Sequence, residues 1–440
     1  EDAYAWLRAD NWQEVLKRPE ALDPEIRAVL EAENAHAADA LAPTAALQAL
    51  LVAEMRGRIR EDDEQPPVPD GPFAYYQRYR TGGEHPLICR RPREGGDEAV
   101  LLDGDAESAG GGFFHLADAA HSPDHRLLAW SCDRAGSEYH VVRVRDLASG
   151  EDRDAVPDTT GHVVWLRDCS GFLYVRLDDK HRDNRVYLHR LGDAVSDDLL
   201  LHEETSPGMF VSLAETQDSA FALIDIHDHE TSEVRIVDPR DPAAPPRVIH
   251  PRTEGLRYAV DHHDGRFVIR TNAGGAIDEK IVTAPAEDPR IENWRDLVPH
   301  APGRLILRHV CYRGHLVRLE RADAVPSVVL RDWRDGTEHA IAFDEPTYSL
   351  GYSDGFEYDT ATLRFTYSSL SRPAETYDYD MAKRTRVLVK RREVPSGHDP
   401  ADYVVTRLDA PAPDGAAVPV SILRRRTTPC DGSAPCLLYG

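Results

Sequence analysis

The sequence predicts a mainly β protein built around a seven-bladed β-propeller, and three observations carry that reading. Leu127, Phe172, Phe221, Phe267, Leu316 and Phe365 each open a short apolar run, at successive steps of 45, 49, 46, 49 and 49 residues, and Tyr75 stands 52 residues before Leu127. The runs (LLAW, FLYV, FALI, FVIR, LVRL, FTYS) are rich in residues that suit a pleated, half-buried surface. Turn signals separate them, among them Thr81-Gly82-Gly83, Asp133-Arg134-Ala135-Gly136, Ser149-Gly150, Asp264-Gly265 and Asp335-Gly336. A period of roughly 40–50 residues with strand-like content is what one four-stranded sheet per repeat writes into a sequence. Seven beats imply seven blades, expected near 73–103, 114–155, 161–203, 209–249, 256–298, 304–343 and 348–390.

The segment ahead of the first beat is helical. Asp23 can cap a helix and Pro24 suits its first turn. Apolar positions at Ile26, Val29, Leu30, Ala37 and Leu41 keep near-helical spacing until Pro43 interrupts them. A second helix is expected over 45–60, with Leu47, Leu50, Leu51, Met55 and Ile59 as its stripe. The acidic, proline-bearing run 61–70 reads as a linker. After the last beat, a junction at Pro395 to Pro400 leads to two expected strands, 403–408 and 418–423, joined at Pro413-Asp414-Gly415. The final run, Pro435-Cys436-Leu437-Leu438-Tyr439-Gly440, has the pattern of a buried strand. The chain therefore divides into 1–70 (helical), 71–394 (propeller) and 395–440 (strands). Head and tail are expected to belong to one second domain interrupted by the propeller.

Bulk properties exclude several partners. Lys and Arg number 52 against 77 Asp and Glu, a net charge of −25, which disfavours nucleic acid and would favour cationic ligands. No apolar stretch approaches the roughly 18 residues of a membrane span. The six cysteines, Cys89, Cys132, Cys169, Cys311, Cys430 and Cys436, lack CxxC or finger spacing and read as reduced thiols. No signal-peptide pattern is visible, which points to the cytoplasm. The chain starts at Glu1 rather than Met, so a removed leader, and with it the periplasm, stays open.

Candidate chemistry inside the propeller is sparse. Gly351-Tyr352-Ser353-Asp354-Gly355 matches the G-x-S-x-G elbow, but a turn and then a strand follow instead of the helix an elbow needs, so Ser353 is not assigned as a nucleophile. His227-Asp228-His229-Glu230 and Asp261-His262-His263-Asp264 resemble metal clusters, yet each lies at a strand end with no third ligand at fixed spacing. They read as solvated loop residues. Gly110-Gly111-Gly112 and Gly274-Gly275 read as ordinary turns. No cofactor and no metal are expected.

The two ends and the last blade carry a resemblance. Asp2-x-Tyr4-x-Trp6-Leu7, with Glu33-Asn34-Ala35 after it, resembles the N-terminal signature of the prolyl oligopeptidase family. Phe73-Ala74-Tyr75-Tyr76, Arg90-Arg91-Pro92 and Leu101-Leu102-Asp103 look like its first blade, and Leu363 to Pro373 with Tyr377-Asp378-Tyr379-Asp380 like its last. The run from Pro435 to Gly440 looks like the strand entering a hydrolase sheet. Asp10-Asn11-Trp12 and Tyr367-Ser368-Ser369-Leu370 are most similar to the oligopeptidase B branch.

The resemblance implies a propeller inserted in an α/β-hydrolase domain, of which this chain holds the helices and first strands. It also implies a serine peptidase that cuts short, cationic peptides after Arg or Lys, the propeller limiting substrate size. In the family the catalytic serine, aspartate and histidine all come after the strand that here reaches Gly440, so no catalytic residue is assigned and the 440 residues are expected to be inactive alone. The implied partners are short peptides and the C-terminal catalytic domain, with neither nucleic acid nor membrane. The alternative is a stand-alone propeller that binds peptides or proteins without catalysis.

Overall fold

The structure is a computed structural model and describes residues 2–439. Its head is helical: α1 (Trp12–Lys17), α2 (Pro24–Leu41) and α3 (Ala45–Arg56). The Asp23 carboxylate accepts from the Glu25 amide at 2.7 Å, and Pro24 occupies a first-turn position where a missing N–H costs nothing. Pro43 sits in a short 3-10 turn between α2 and α3. The second helix stops at Arg56, short of the expected residue 60. Beyond Gly57 the amides of Arg58 and Ile59 bond to carbonyls three residues back, which tightens the last turn. Ile26 is the one buried residue of α2, and α3 has none among the described residues.

Antiparallel sheets follow in chain order. The first holds β1 (Val68–Asp70), β2 (Phe73–Arg78), β3 (Leu87–Pro92) and β4 (Ala99–Asp103). The next is seven-stranded: β5 (His115–His121), β6 (Leu127–Asp133), β7 (His140–Asp146), β8 (Asp152–Trp165), β9 (Gly171–Leu177), β10 (Asp183–Arg190) and β11 (Leu199–Glu203). Four-stranded sheets resume with β12 (Phe210–Glu215), β13 (Ala222–His227), β14 (Ser232–Val237) and β15 (Arg247–Val248). Then come β16 (Tyr258–His263), β17 (Arg266–Thr271), β18 (Lys280–Pro285) and β19 (Arg295–Val298). After these lie β20 (Arg304–Cys311), β21 (His315–Ala322), β22 (Val325–Asp332) and β23 (Glu338–Ala340). The last of them is β24 (Ser349–Ser353), β25 (Thr362–Ser368), β26 (Glu375–Asp380) and β27 (Thr385–Arg391).

The expectation of seven separate blades is corrected. Five four-stranded blades stand apart, and the strands of the Leu127 and Phe172 beats run together in one seven-stranded sheet. The joint is β8, which pairs with β7 through Asp152, Arg153, Val156 and Thr159 and with β9 through Thr159, Val163, Val164 and Trp165. β-Branched Val156, Thr159 and Thr160 favour extended backbone here, interrupted by left-handed Asp154 (φ +57°) and Asp158 (φ +59°) where the register shifts. Gly161 (φ +96°) makes the bend, where a Cβ would stand 3.0 Å from the Ser131 hydroxyl and 3.1 Å from the Ala117 methyl.

The linker expectation for 61–70 is also corrected at its end. Val68–Asp70 is a strand, and Glu64 bridges Arg78. β1 pairs only with β2, so Pro69 can leave its N–H-less side on a free edge.

Apolar clusters lie between successive beats. Tyr75, Leu128 and Trp130 join the first to the second, and Val175, Val211 and Ile224 the third to the fourth. Leu330, Leu363 and Phe365 join the sixth to the seventh. No such cluster spans the first and last sheets among the described residues. That seam is polar: Arg364 donates to the carbonyls of Pro66 (2.9 Å) and Pro67 (2.8 Å), Lys390 pairs with Asp63 (2.7 Å), and Arg93 pairs with Glu357.

The tail forms a hairpin, β28 (Tyr403–Pro411) with β29 (Ala417–Arg425), turning through Asp414 and Gly415 (φ +85°). The strand expected over 435–440 is not formed. Residues 435–439 have no regular structure, and Leu437, Leu438 and Tyr439 are exposed; Gly440 lies outside the described residues. A strand needs a neighbour for its amides and carbonyls, and no strand pairs with this run among the described residues.

Candidate functional site

First strands of neighbouring sheets contact one another, β5 against β8, β8 against β12 and β16 against β20. They therefore line the propeller axis, and later strands face outward. Alternate residues on them are buried or open: Val211 and Leu213 pack inward while Phe210 and Ser212 are exposed. All first strands run the same way, so Asp70, His121, Glu215, His263, Cys311 and Ser353 gather at one end of the axis.

The loop 354–361 crosses that end. Gly355 (φ +66°) turns it, and its residues reach across to several other beats. Phe356 packs edge-on against Tyr75 and His121, with centroids 6.0 and 4.9 Å away. The Asp354 carbonyl accepts from Gln217 Nε2 (3.0 Å) and from the Tyr312 hydroxyl (2.9 Å). Tyr358 Oη bonds to His263 Nδ1 at 2.8 Å, and Glu357 pairs with Arg93. The Asp354 carboxylate pairs with Arg308, and its other oxygen is buried without a partner, so burial raises its pKa.

Ser353 ends β24 at the edge of this loop, where the sequence places a seventh-beat turn. Its hydroxyl accepts weakly from the Gly355 amide (3.4 Å), and no histidine or carboxylate bonds to it among the described residues. A serine without a base within reach is not an activated nucleophile.

The two histidine-acid clusters fare differently. His227, His229 and Glu230 are exposed, as expected of a loop. Asp261 and His262 are buried, which corrects the solvated-loop reading. They complete β16, and a first strand packs against both neighbouring sheets. The Asp261 carboxylate accepts from the amides of Gln217 (2.9 Å), His262 (2.8 Å) and Cys311 (2.6 Å). Burial nonetheless pushes its pKa up to about 6. His262 Nδ1 bonds to Asp218 at 2.6 Å, and His263 stacks on Trp333 at 4.2 Å. None of these forms a metal cage.

The sequence reading missed a different group. Asp70, His121 and His125 bring ligand atoms within 4.8 Å of one another. His121 Nε2 lies 2.7 Å from Asp70 Oδ2, and the Tyr75 ring stacks on His121 at 3.7 Å and 5°. Tyr75 Oη bonds to His125 Nδ1 at 2.8 Å, and burial lowers the His125 pKa. The two histidines stand four apart in sequence, but the carboxylate comes from about fifty residues earlier, where nothing local marks it.

The opposite end of the axis faces the helical head. Lys17 of α1 pairs with Asp158 at 2.8 Å and sits 4.1 Å over the Tyr139 ring. Near it lies a cavity of about 710 Å³ lined by Phe113, His115, Glu138, His140, Asp183 and Phe210. Leu47, Leu50, Leu51, Val52 and Met55 of α3 are exposed, leaving an uncovered apolar face. All six cysteines are free, with Cys89, Cys132 and Cys311 buried in strands.

Comparison with known proteins places this architecture. The family model "Prolyl oligopeptidase, N-terminal beta-propeller domain" matches residues 1–392. Dipeptidyl aminopeptidase BI of Pseudoxanthomonas mexicana is 34% identical over the whole chain, covering 62% of that protein. Protease 2 of Moraxella lacunata is 24% identical over the whole chain, covering 63% of its own length. Oligopeptidase B from Leishmania major superposes with a TM-score of 0.90 at 29% identity, over 97% of this chain and 61% of that one. The chain thus spans about three-fifths of the length of the relatives it matches. No helix among the described residues is long and apolar enough to cross a membrane. The family model spans the helices and every propeller sheet, the oligopeptidase B likeness covers 97% of the chain, and the chain belongs to the prolyl oligopeptidase family of serine peptidases, whose N-terminal propeller domain it carries.

Proposed function

We propose that this chain is the propeller-bearing part of an oligopeptidase B-like peptidase that cleaves short peptides after Arg or Lys. The observation that carries the reading is the likeness to oligopeptidase B, which extends past the propeller into the hairpin tail. In this reading the helices and residues 395–440 belong to an α/β-hydrolase domain, and the triad lies beyond residue 440. The bare apolar face of α3 and exposed Leu437 and Leu438 support such a partner segment, because an uncovered patch of this kind is a docking surface or a liability. Loop 354–361 over one end of the axis supports a filtering role, since it narrows the way in from that side. Glu138 and Asp183 in the cavity near α1, with the net charge of −25, suit cationic peptides.

The stronger identity to dipeptidyl aminopeptidase BI favours a second reading, in which the enzyme removes N-terminal dipeptides. One experiment separates them. The 440-residue chain and the longer gene product are each offered an N-blocked Arg chromogenic peptide and an unblocked dipeptidyl substrate. The first reading expects the longer product to cleave the blocked peptide and the 440-residue chain to cleave neither. Cleavage of the unblocked substrate alone supports the second. Hydrolysis by the pure 440-residue chain, abolished by Ser353→Ala, overturns both.

A further inference from the structure

We propose that Asp70, His121 and His125 form a zinc(II) site that ties the first sheet to the second at the loop-covered end of the axis. Two imidazoles and one carboxylate are a donor set that borderline divalent metals favour, with a fourth position left for water. One ligand atom from each residue already lies within 4.8 Å of the other two. Zinc–ligand bonds of about 2 Å place tetrahedral donors roughly 3.3 Å apart, so His121 Nε2 and Asp70 Oδ2, now 2.7 Å apart, open slightly, and the His125 ring, whose plane lies 18° from that of His121 with centroids 5.5 Å apart, turns toward the ion.

The surroundings hold the donors in place before any ion arrives. The His121 ring lies parallel to Tyr75 at 3.7 Å and edge-on to Phe356 at 4.9 Å, which fixes its plane. His125 takes a left-handed backbone (φ +60°), secured by its amide to Ser122 O (2.8 Å) and by Arg90 donating to its carbonyl (2.5 Å). In the tautomer that carries its proton on Nδ1, 2.8 Å from Tyr75 Oη, His125 Nε2 keeps its lone pair for the ion. Such a second hydrogen bond is the usual device for orienting a metal-bound imidazole. Gly71 faces that nitrogen, and a Cβ there would stand 2.9 Å from Nε2. A glycine at this position leaves room in front of the nitrogen that any other residue would fill.

The ligands come from both sides of a sheet boundary. Asp70 ends β1 of the first sheet, whereas His121 ends β5 and His125 follows it in the second. Bound zinc would cross-link an edge strand that otherwise pairs only with β2. The inference stands apart from the peptidase reading, because binding and stability report it without any turnover.

The test uses the purified full chain, stripped with a chelator, then titrated with zinc(II) in competition with a chromophoric chelator. Cobalt(II) serves as a spectroscopic probe of nitrogen-oxygen coordination. One equivalent should bind, the thermal midpoint should rise on zinc addition, and cobalt should give visible ligand-field bands. His121→Ala and His125→Ala should each weaken binding by at least about a hundredfold and abolish the midpoint shift. Gly71→Ala, which removes no ligand atom but sets a Cβ 2.9 Å from His125 Nε2, should weaken it too, and so keeps the test open should a histidine variant fold poorly. Absence of stoichiometric binding at micromolar zinc overturns the proposal. So does an unchanged affinity and midpoint shift in the His121→Ala/His125→Ala double variant.

Discussion

Asp261 lies in β16 with its carboxylate held by three backbone amides and nearly out of contact with water. The amides favour the charged form and burial opposes it; burial wins, leaving a pKa of about 6 against an ordinary 3.8. Because the folded value is the higher one, this group's contribution to stability is full below about pH 4 and is lost as pH rises through 6. A rise of that size is worth at most about 3 kcal/mol. Asp261→Asn removes the titration while keeping the size. The advantage of the native protein over this variant, read as the difference in urea midpoint, should therefore be largest near pH 4 and shrink by pH 7. At this scale the sequence was a partial guide. The spacing of the cysteines pointed to thiols outside any metal or disulfide framework, all six are free, and burial in β3 pushes the Cys89 thiol up to about 12. Asp261 and His262 were misread because a histidine-acid run looks the same in a loop and at the end of a buried strand.

Elements show where one sheet hands over to the next. The apolar beats fall on β2, β6, β9, β13, β17, β21 and β25, the second strand of each repeat; the inner ones, such as β6 and β9, are covered on both faces, while β25 alternates between buried and open positions. The merged sheet was not legible: whether an outer strand runs on into the next inner one depends on bends within β8 at Asp154, Asp158 and Gly161, which a turn signal does not distinguish from a break. The first and last sheets share no strand, so their closure rests on side chains. Arg364, bonded to two proline carbonyls and to Asp378, is the most connected of them. Arg364→Ala leaves those carbonyls without a donor, at a cost of about 1–3 kcal/mol. Hydrogen exchange of the β2 amides should accelerate in this variant relative to those of β13, which sits between sheets joined by apolar packing. Equal acceleration in both would mean that the seam does not open separately.

At the scale of the whole molecule, the head and tail have apolar surface that the propeller does not cover. Leu50 is 64% and Met55 54% exposed on α3, while a helix of a free domain normally buries such a stripe. Leu50→Gln with Met55→Gln should therefore move the thermal midpoint by less than about 2 °C, because little burial is lost. The same change should reduce self-association of the 440-residue chain in light scattering. A large fall in midpoint would show that this face is packed after all.

The sequence by itself determined the repeat, the helical head, the tail hairpin and the family, because each rests on local pattern: a strand period, a cap, a turn, a short motif. It also showed that G-x-S-x-G at Ser353 falls in step with the blades. Tertiary structure alone decided what lies across the axis. The covering of one end by loop 354–361, the polar seam, and the meeting of Asp70 with His121 and His125 all join residues from different blades, and no local pattern encodes a contact between segments about fifty or more residues apart.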